Sequence, residues 1–269
     1  MNTAYVTTVC HGDGYVPGVE ALGMSLQASG AKHPLVVMVT PDVTEEGRQR
    51  LTAAGWQLRE VEYIANPTPA EGQLFARFAH VFTKLRAWEL IEFDKVVLLD
   101  ADTIVLQNID ELFDRPYFAA APDFFLPDRF NSGVMVLDPS EEIFKSMMDA
   151  LFTGGTYDGG DQGFLNTFIP NWYAMPVEHR LPSGFNLHHF IYQFLRGHPS
   201  LTKSLDKEAR ILHYTMQKPW LASATLTGGS DAWWQMYFAA HPEDAKDWRN
   251  RLHKLEDRSF DRIIAALLG

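Results

Sequence analysis

Residues 95–102 read Lys-Val-Val-Leu-Leu-Asp-Ala-Asp, an apolar run that ends in two carboxylates one residue apart. The run Val96 to Leu99 suits a buried strand. Asp100, Ala101 and Asp102 then emerge at its C-terminal end, the edge where open α/β sheets bind ligands. Two hard oxygen ligands there suit Mg²⁺ or Mn²⁺, and such an ion suits a diphosphate. The pattern is short, and the plain alternative is a turn cap beside a solvated carboxylate. Three later segments carry polar residues that a core would not ask for. Phe130-Asn131-Ser132-Gly133 precedes an apolar strand. There Asn131 can bond a sugar hydroxyl and Gly133 permits close backbone approach. Asp158-Gly159-Gly160-Asp161-Gln162-Gly163 opens a helical run. Asp161 reads either as its N-cap or, with Asp158 and Gln162, as a cluster that reads hydroxyls. His213 follows a short apolar strand, and a neutral imidazole can complete a carboxylate-rich metal site. Lys218, a little further on, can neutralise a phosphate as a point charge.

The chain that must position these groups has 269 residues, enough for one large α/β domain or two small ones. A hydrophobic share of 46% supports a sizeable core and excludes a disordered chain. The formal net charge of −11 argues against a nucleic-acid partner, which needs clustered Lys and Arg. An anionic ligand would instead need a metal and a few local cations. Cys10 is the only cysteine, so no intramolecular disulfide forms and a reducing, cytoplasmic setting is expected. A strand-like run, Ala4 to Val9, begins almost at once, so no signal peptide is expected. No apolar stretch reaches the roughly 18 residues of a membrane span.

The first 140 residues alternate strand and helix signals, which predicts a mostly parallel sheet. Strands are expected at Ala4 to Val9, Leu35 to Val39, Trp56 to Val61 and Lys95 to Leu99. Helices are expected at Tyr15 to Ser29, after a Thr44 N-cap as far as Gly55, and at Thr83 to Glu92. Asn66 to Gly72 reads as a loop. In the second half, Val134 to Leu137 and Ile211 to Tyr214 read as strands. Ser140 caps a helix carrying Ile143, Met147 and Leu151. The terminal stripe Phe260, Ile263, Ile264 and Leu267 suits packing on the body of the protein. Membrane contact and homodimerisation are the sharper readings of it.

Asp-Ala-Asp after a strand, Phe-Asn-Ser-Gly, Asp-Gly-Gly-Asp-Gln-Gly and a His213 to Trp220 segment ending Lys-Pro-Trp occur in this order. Together they resemble the glycogenin and galactinol synthase family of retaining glycosyltransferases, glycosyltransferase family 8. Ala4 to Leu26 and Thr83-Lys84-Leu85-Arg86-Ala87-Trp88 extend the resemblance over roughly residues 3–220. It implies a GT-A fold, a Rossmann-like, mostly parallel sheet flanked by helices. It implies a nucleotide-binding half (1–105) and an acceptor and catalytic half (106–220); with the C-terminal extension (221–269), which reads as helical from its own pattern, a single domain over 1–269 is expected. It implies Mn²⁺, with Mg²⁺ as an alternative, and a UDP-sugar donor. By resemblance Asp100, Asp102 and His213 ligate the metal and Lys218 contacts the diphosphate. Thr8, Val9 and Tyr15 hold uridine, and Lys84 and the Ala101 backbone sit near the ribose and sugar. Asn131, Ser132, Asp158, Asp161 and Gln162 line the sugar and the reaction centre, with Asp161 and Gln162 at the reacting face.

The function so implied is transfer of galactose or glucose from a UDP-sugar to an acceptor hydroxyl with retention. The loop at 13–18, the run at 34–37 and the stretch before His213 look more like galactinol synthase, which makes myo-inositol a candidate acceptor. A second reading is self-glucosylation as in glycogenin, because Phe185-Asn186-Leu187 followed by Tyr192 resembles the region of its acceptor tyrosine; the plain reading of Tyr192 is a packed aromatic. A sugar nucleotidyltransferase is a third, but its basic loop after the first strand is missing: Cys10 to Tyr15 holds no Lys or Arg. A non-catalytic sugar-nucleotide binder is a fourth, and it leaves the intact set of metal ligands without a purpose.

Overall fold

The computed structural model describes residues 1–67, 80–154, 156–196, 198, 203, 207–215, 218–221 and 231–243. Strands β1 (Thr3–Val9), β2 (Leu35–Val39), β3 (Gln57–Glu60) and β4 (Lys95–Leu99) pair in parallel. After β5 (Thr103–Val105), strand β6 (Ala119–Pro122) pairs with β7 (Phe130–Leu137), which runs antiparallel to both β6 and β4. The order across this sheet is β3-β2-β1-β4-β7-β6. A smaller sheet forms where β5 pairs antiparallel with β9 (Ile211–His213), and β9 pairs parallel with β8 (Leu187–His188). This is the expected mixed α/β architecture with a mostly parallel central sheet.

Both faces of the large sheet are covered, which explains strands apolar throughout. Tyr5, Val37, Val39, Val97 and Leu99 face one core; Ala4, Val6, Val36, Met38, Val96 and Leu98 face the other. Helix α1 (Val16–Ala28) buries Val19, Leu22 and Leu26 in the first. Helix α2 (Glu45–Ala53) starts on the Thr44 hydroxyl, which accepts from the Gly47 N–H at 3.1 Å. Helix α3 (Glu141–Gly154) lies over the second core, with Met147 and Leu151 buried there. Helices α4 (Asp161–Phe168), α5 (His189–Arg196) and α6 (Asp231–Ala240) follow in the second half.

Three expectations need correction. The helix expected at Thr83 to Glu92 is a 3-10 helix over Val81–Glu89. Its buried apolar residues Phe82, Leu85 and Trp88 are spaced by three, the period at which 3-10 side chains eclipse. The strand expected at Val134 to Leu137 begins at Phe130, because Phe130 pairs with Pro122 of β6. Asn131 and Ser132 therefore lie inside β7 and are buried. Asp161 is the first residue of α4, and Gly160 holds the N-cap position.

The Glu20 carboxylate of α1 is buried and accepts from the Arg50 guanidinium at 2.9 and 2.6 Å, tying α1 to α2. His241, just past α6, comes within 3.1 Å of the same carboxylate. The terminal stripe at Phe260, Ile263, Ile264 and Leu267 lies outside the described residues, as does most of the loop expected at Asn66 to Gly72. Among the described residues no helix is long and apolar enough to cross a membrane.

Leu98 stands at the centre of the sheet with no exposed surface to speak of, whereas Leu58 on the edge strand is 37% exposed. Leu98→Ala is expected to lower the unfolding free energy by about 2–5 kcal/mol. Leu58→Ala should cost under about 1 kcal/mol. Urea unfolding of the two variants checks the difference.

Candidate functional site

The main strand β4 hands over to the small sheet through a tight turn. The Thr103 N–H and hydroxyl both donate to the Asp100 carbonyl, at 3.1 and 2.7 Å. That turn sets Asp100 and Asp102 at the C-terminal end of β4, and Thr103 enters β5 directly opposite His213 of β9. The Tyr214 N–H donates to the Asp102 carbonyl at 2.9 Å and locks the pairing. As a result the His213 Nε2 lies 3.2 Å from Asp102 Oδ1 and 3.6 Å from Asp100 Oδ2. One ligand atom from each of Asp100, Asp102 and His213 falls within 4.8 Å of the others. Two hard carboxylate oxygens and a borderline imidazole suit Mn²⁺ or Mg²⁺, so the residues fit the divalent ion that the resemblance implies. Gly133 is required here: a Cβ on it would stand 2.2 Å from the His213 ring.

Two lysines flank the carboxylates. Lys218 bonds Asp102 and donates to the Tyr214 carbonyl at 2.8 Å. Lys84, from the 3-10 helix, sits 2.7 Å from Asp100 and 2.6 Å from Asp161. Burial pushes the Asp102 carboxyl up, but Lys218 and His213 outweigh it and hold it below the usual carboxylate range. Burial, with Asp102 alongside, raises the Asp100 carboxyl against the pull of Lys84. Burial disfavours the Lys84 ammonium, yet Asp100 and Asp161 keep its pKa above the ordinary lysine value.

Next to this centre lies a polar network. The Ser132 hydroxyl donates to Asp161 Oδ2 at 2.8 Å, on the same oxygen that Lys84 holds. Gln162 spans from the Ser132 N–H (3.4 Å) to Asp123 Oδ2 (3.3 Å). Asn131 donates to the same Asp123 oxygen at 3.0 Å and lies 3.4 Å from His188 Nε2. Its carbonyl oxygen accepts from the Gly133 N–H at 3.0 Å and from the Asn186 amide at 2.8 Å. Asn186 Oδ1 in turn lies 2.8 Å from His213 Nδ1. Burial raises the Asp123 carboxyl, but the Asn131 amide and the N–H groups of Phe125 and Leu126 bring it below its ordinary value.

The residues singled out from the sequence thus fall into four groups. Asp100, Asp102, His213, Lys218, Lys84, Asp161, Ser132, Gln162 and Asn131 form one connected cluster. Asp158 stands at the start of α4, where its carboxylate accepts from the N–H groups of Gly160 (2.8 Å) and Gly163 (3.1 Å), so the helix cap expected of Asp161 is made by Asp158. Thr8, Val9 and Tyr15 lie at the end of β1 and in the turn after it. The Thr8 hydroxyl is buried without a hydrogen-bond partner, Val9 is buried, and Tyr15 is exposed edge-on to Trp220 with ring centroids 5.6 Å apart. The Ala101 carbonyl packs on α1, where a Cβ on Gly18 would stand 2.3 Å from it. The structure adds Asp123, Asn186 and His188, of which the sequence analysis named only Asn186, within the Phe185-Asn186-Leu187 segment.

The family model for Glycosyl transferase family 8 matches residues 6–123. Glycogenin-1 of Caenorhabditis elegans is 36% identical over 249 residues, 90% of this chain and 56% of that protein. The chain belongs to glycosyl transferase family 8. Inositol phosphorylceramide glucuronosyltransferase 1 of Arabidopsis thaliana is 33% identical over 273 residues, 94% of this chain and 46% of that protein. The chain therefore spans about half the length of these curated relatives. Among solved structures, the galactosyltransferase LgtC in complex with donor and acceptor sugar analogues aligns with a TM-score of 0.62 at 19% identity, covering 88% of this chain and 95% of that one. That likeness bears on the fold, which is the GT-A arrangement expected of a family 8 chain.

His188 is 5% exposed, and burial first, then the neighbouring His213, lowers its pKa from 6.5 to about 4. Between those values the unfolded chain binds a proton that the folded one does not. The stability of the neutral ring is therefore complete above pH 6.5 and lost as pH falls toward 4. The thermal midpoint is expected to drop over that window, and His188→Gln should flatten part of the drop; identical profiles would contradict the assignment.

Proposed function

We propose that this chain is a retaining, divalent-metal-dependent glycosyltransferase that moves a hexosyl group from a UDP-sugar to an acceptor hydroxyl. The observation that carries the reading is the Asp100, Asp102 and His213 cluster, with Lys218 on one side and Lys84 on the other. Asp100, Asp102 and His213 would hold the ion, Mn²⁺ in the favoured reading. When bound it would supply Lewis-acid stabilisation of charge on the leaving diphosphate. Lys218 adds a fixed positive charge beside the phosphates. Asp161, oriented by Lys84 and Ser132, presents a carboxylate where an oxocarbenium-like centre would develop. Gln162 is held next to it by Ser132 and Asp123. Tyr15, Thr8 and Val9 stand at the uridine end by resemblance to the family.

A cavity of about 190 Å³ opens beside Asp123, lined by Phe124, Asn186, Leu187, His188 and Ile191 among others. It is smaller than pockets for drug-sized ligands, which supports a single polyol or sugar ring as acceptor. The plant relative named for inositol phosphorylceramide supports including myo-inositol among the candidates, and its name adds glucuronate to glucose and galactose as the transferred sugar. Tyr192 is 8% exposed and packs with Ile104, Leu212, Tyr214 and Trp233. That burial favours a separate acceptor molecule over self-glucosylation.

The test is a UDP-release assay with Mn²⁺ and UDP-glucose, UDP-galactose or UDP-glucuronate, followed by an acceptor panel that includes myo-inositol. Release should depend on acceptor, and Asp102→Asn should lower turnover by about a hundredfold or more while leaving the fold intact. Near-normal turnover of that variant in saturating Mn²⁺ would sink the proposal. Independently, intact-mass measurement after incubation with UDP-glucose should show no hexose increments; their appearance would restore the self-priming reading.

A further inference from the structure

The amide network behind the carboxylates has a direction, and two groups of unambiguous polarity set it. The Gly133 N–H can only donate, so the Asn131 atom 3.0 Å away is its oxygen. Ionised Asp123 can only accept, so the Asn131 atom 3.0 Å from it is the nitrogen. Asn131 is therefore fixed at both ends. The Asn186 atom 2.8 Å from that oxygen must donate, which turns the Asn186 oxygen toward His213 Nδ1, also at 2.8 Å. All three side chains, Asn131, Asn186 and His213, are buried, so no water competes for these contacts.

We propose that Asn186 is a positioning residue that holds the proton of His213 on Nδ1 and so keeps Nε2 as the nitrogen that faces Asp100 and Asp102. This rests on the metal-centre reading above and deepens it. A ligating histidine depends on the acceptor behind it for both ring orientation and tautomer. Here that acceptor is an amide whose own orientation is dictated from Asp123 through Asn131. The side chains that carry the sequence Asp123, Asn131, Asn186, His213 come from four separate segments: the end of β6, β7, the turn before β8, and β9. The same hub reads out to a second histidine. Asn131 points its nitrogen at His188 Nε2, which leaves the His188 proton on Nδ1, a buried atom with no partner.

The experiment uses the full chain labelled with ¹⁵N-histidine. In metal-free wild type at neutral pH, long-range ¹H–¹⁵N spectra should show His213 protonated on Nδ1. Titration with Mn²⁺ alone, followed by the electron paramagnetic resonance of the free ion, then measures affinity. Asn186→Leu, similar in volume but without an acceptor, should lose the single tautomer and weaken Mn²⁺ binding by about 10–100-fold. Asn186→Asp loses the donor toward the Asn131 oxygen but retains an acceptor toward Nδ1, and should keep the tautomer and bind Mn²⁺ more tightly than Asn186→Leu. A wild-type His213 protonated on Nε2 alone overturns the proposal, as does unchanged Mn²⁺ affinity in a folded Asn186→Leu variant. If Asn186→Leu does not fold, the wild-type tautomer and the Asn186→Asp tautomer decide. Failure of wild type to bind Mn²⁺ would count against the metal centre itself, while the wild-type spectrum still reads the relay.

Discussion

Two carboxylates at the end of an apolar strand present an electrostatic problem that this architecture is arranged around. Asp102 is buried and Asp100 partly so, and they sit one residue apart. Buried charge is tolerated only when it is paired and hydrogen-bonded. The pairing is assembled from distant segments: Lys84 from the 3-10 helix beneath the sheet, Lys218 from beyond β9, and His213 from β9 itself. The small sheet packs an apolar core of its own around Ile104, Leu212 and Tyr214, and it also delivers His213 to the two aspartates.

Behind this centre the polar side chains continue as a network. Asp100 and Asp102 stand at the C-terminal edge of β4. Asn131, Ser132 and Asn186 form a buried amide and hydroxyl layer beside them. Such a layer holds ligands in one geometry only if its members are satisfied. Each of these three has at least one partner at 3.0 Å or closer. Gly133 completes the layer by leaving room for the His213 ring.

Much of this was legible in the chain. The strand Lys95–Leu99, the paired carboxylates, His213 and Lys218 could be read from apolar runs and chemistry-bearing residue types, because a strand buried on both faces leaves a continuous signature. The 3-10 character of Val81–Glu89 was less visible, since three-residue apolar spacing also fits an α-helix over so short a span. The extension of β7 to Phe130 was hidden by its polar continuation: Asn131 and Ser132 look like a turn until Phe130, just before them, is known to pair with Pro122 of β6. Asp123, Asn186 and His188 had no local signal at all. Their importance depends on which side chains meet across segments far apart in the chain, information that periodicity does not hold.

The register between β5 and β9 has a kinetic consequence. Lys218 and Asp102 are separated by 116 residues, and Thr103 pairs with His213 over nearly the same distance. Contacts of that separation form only after a large loop has been closed, and such closure slows folding more than it weakens the folded state. The β1–β2 and β2–β3 pairs and their covering helices close much shorter loops and can condense first. The aspartates would then wait, solvated and mutually repelling, until β9 arrives. A divalent ion held by Asp100, Asp102 and His213 would relieve that repulsion, and would so act as a template for the last strand to join.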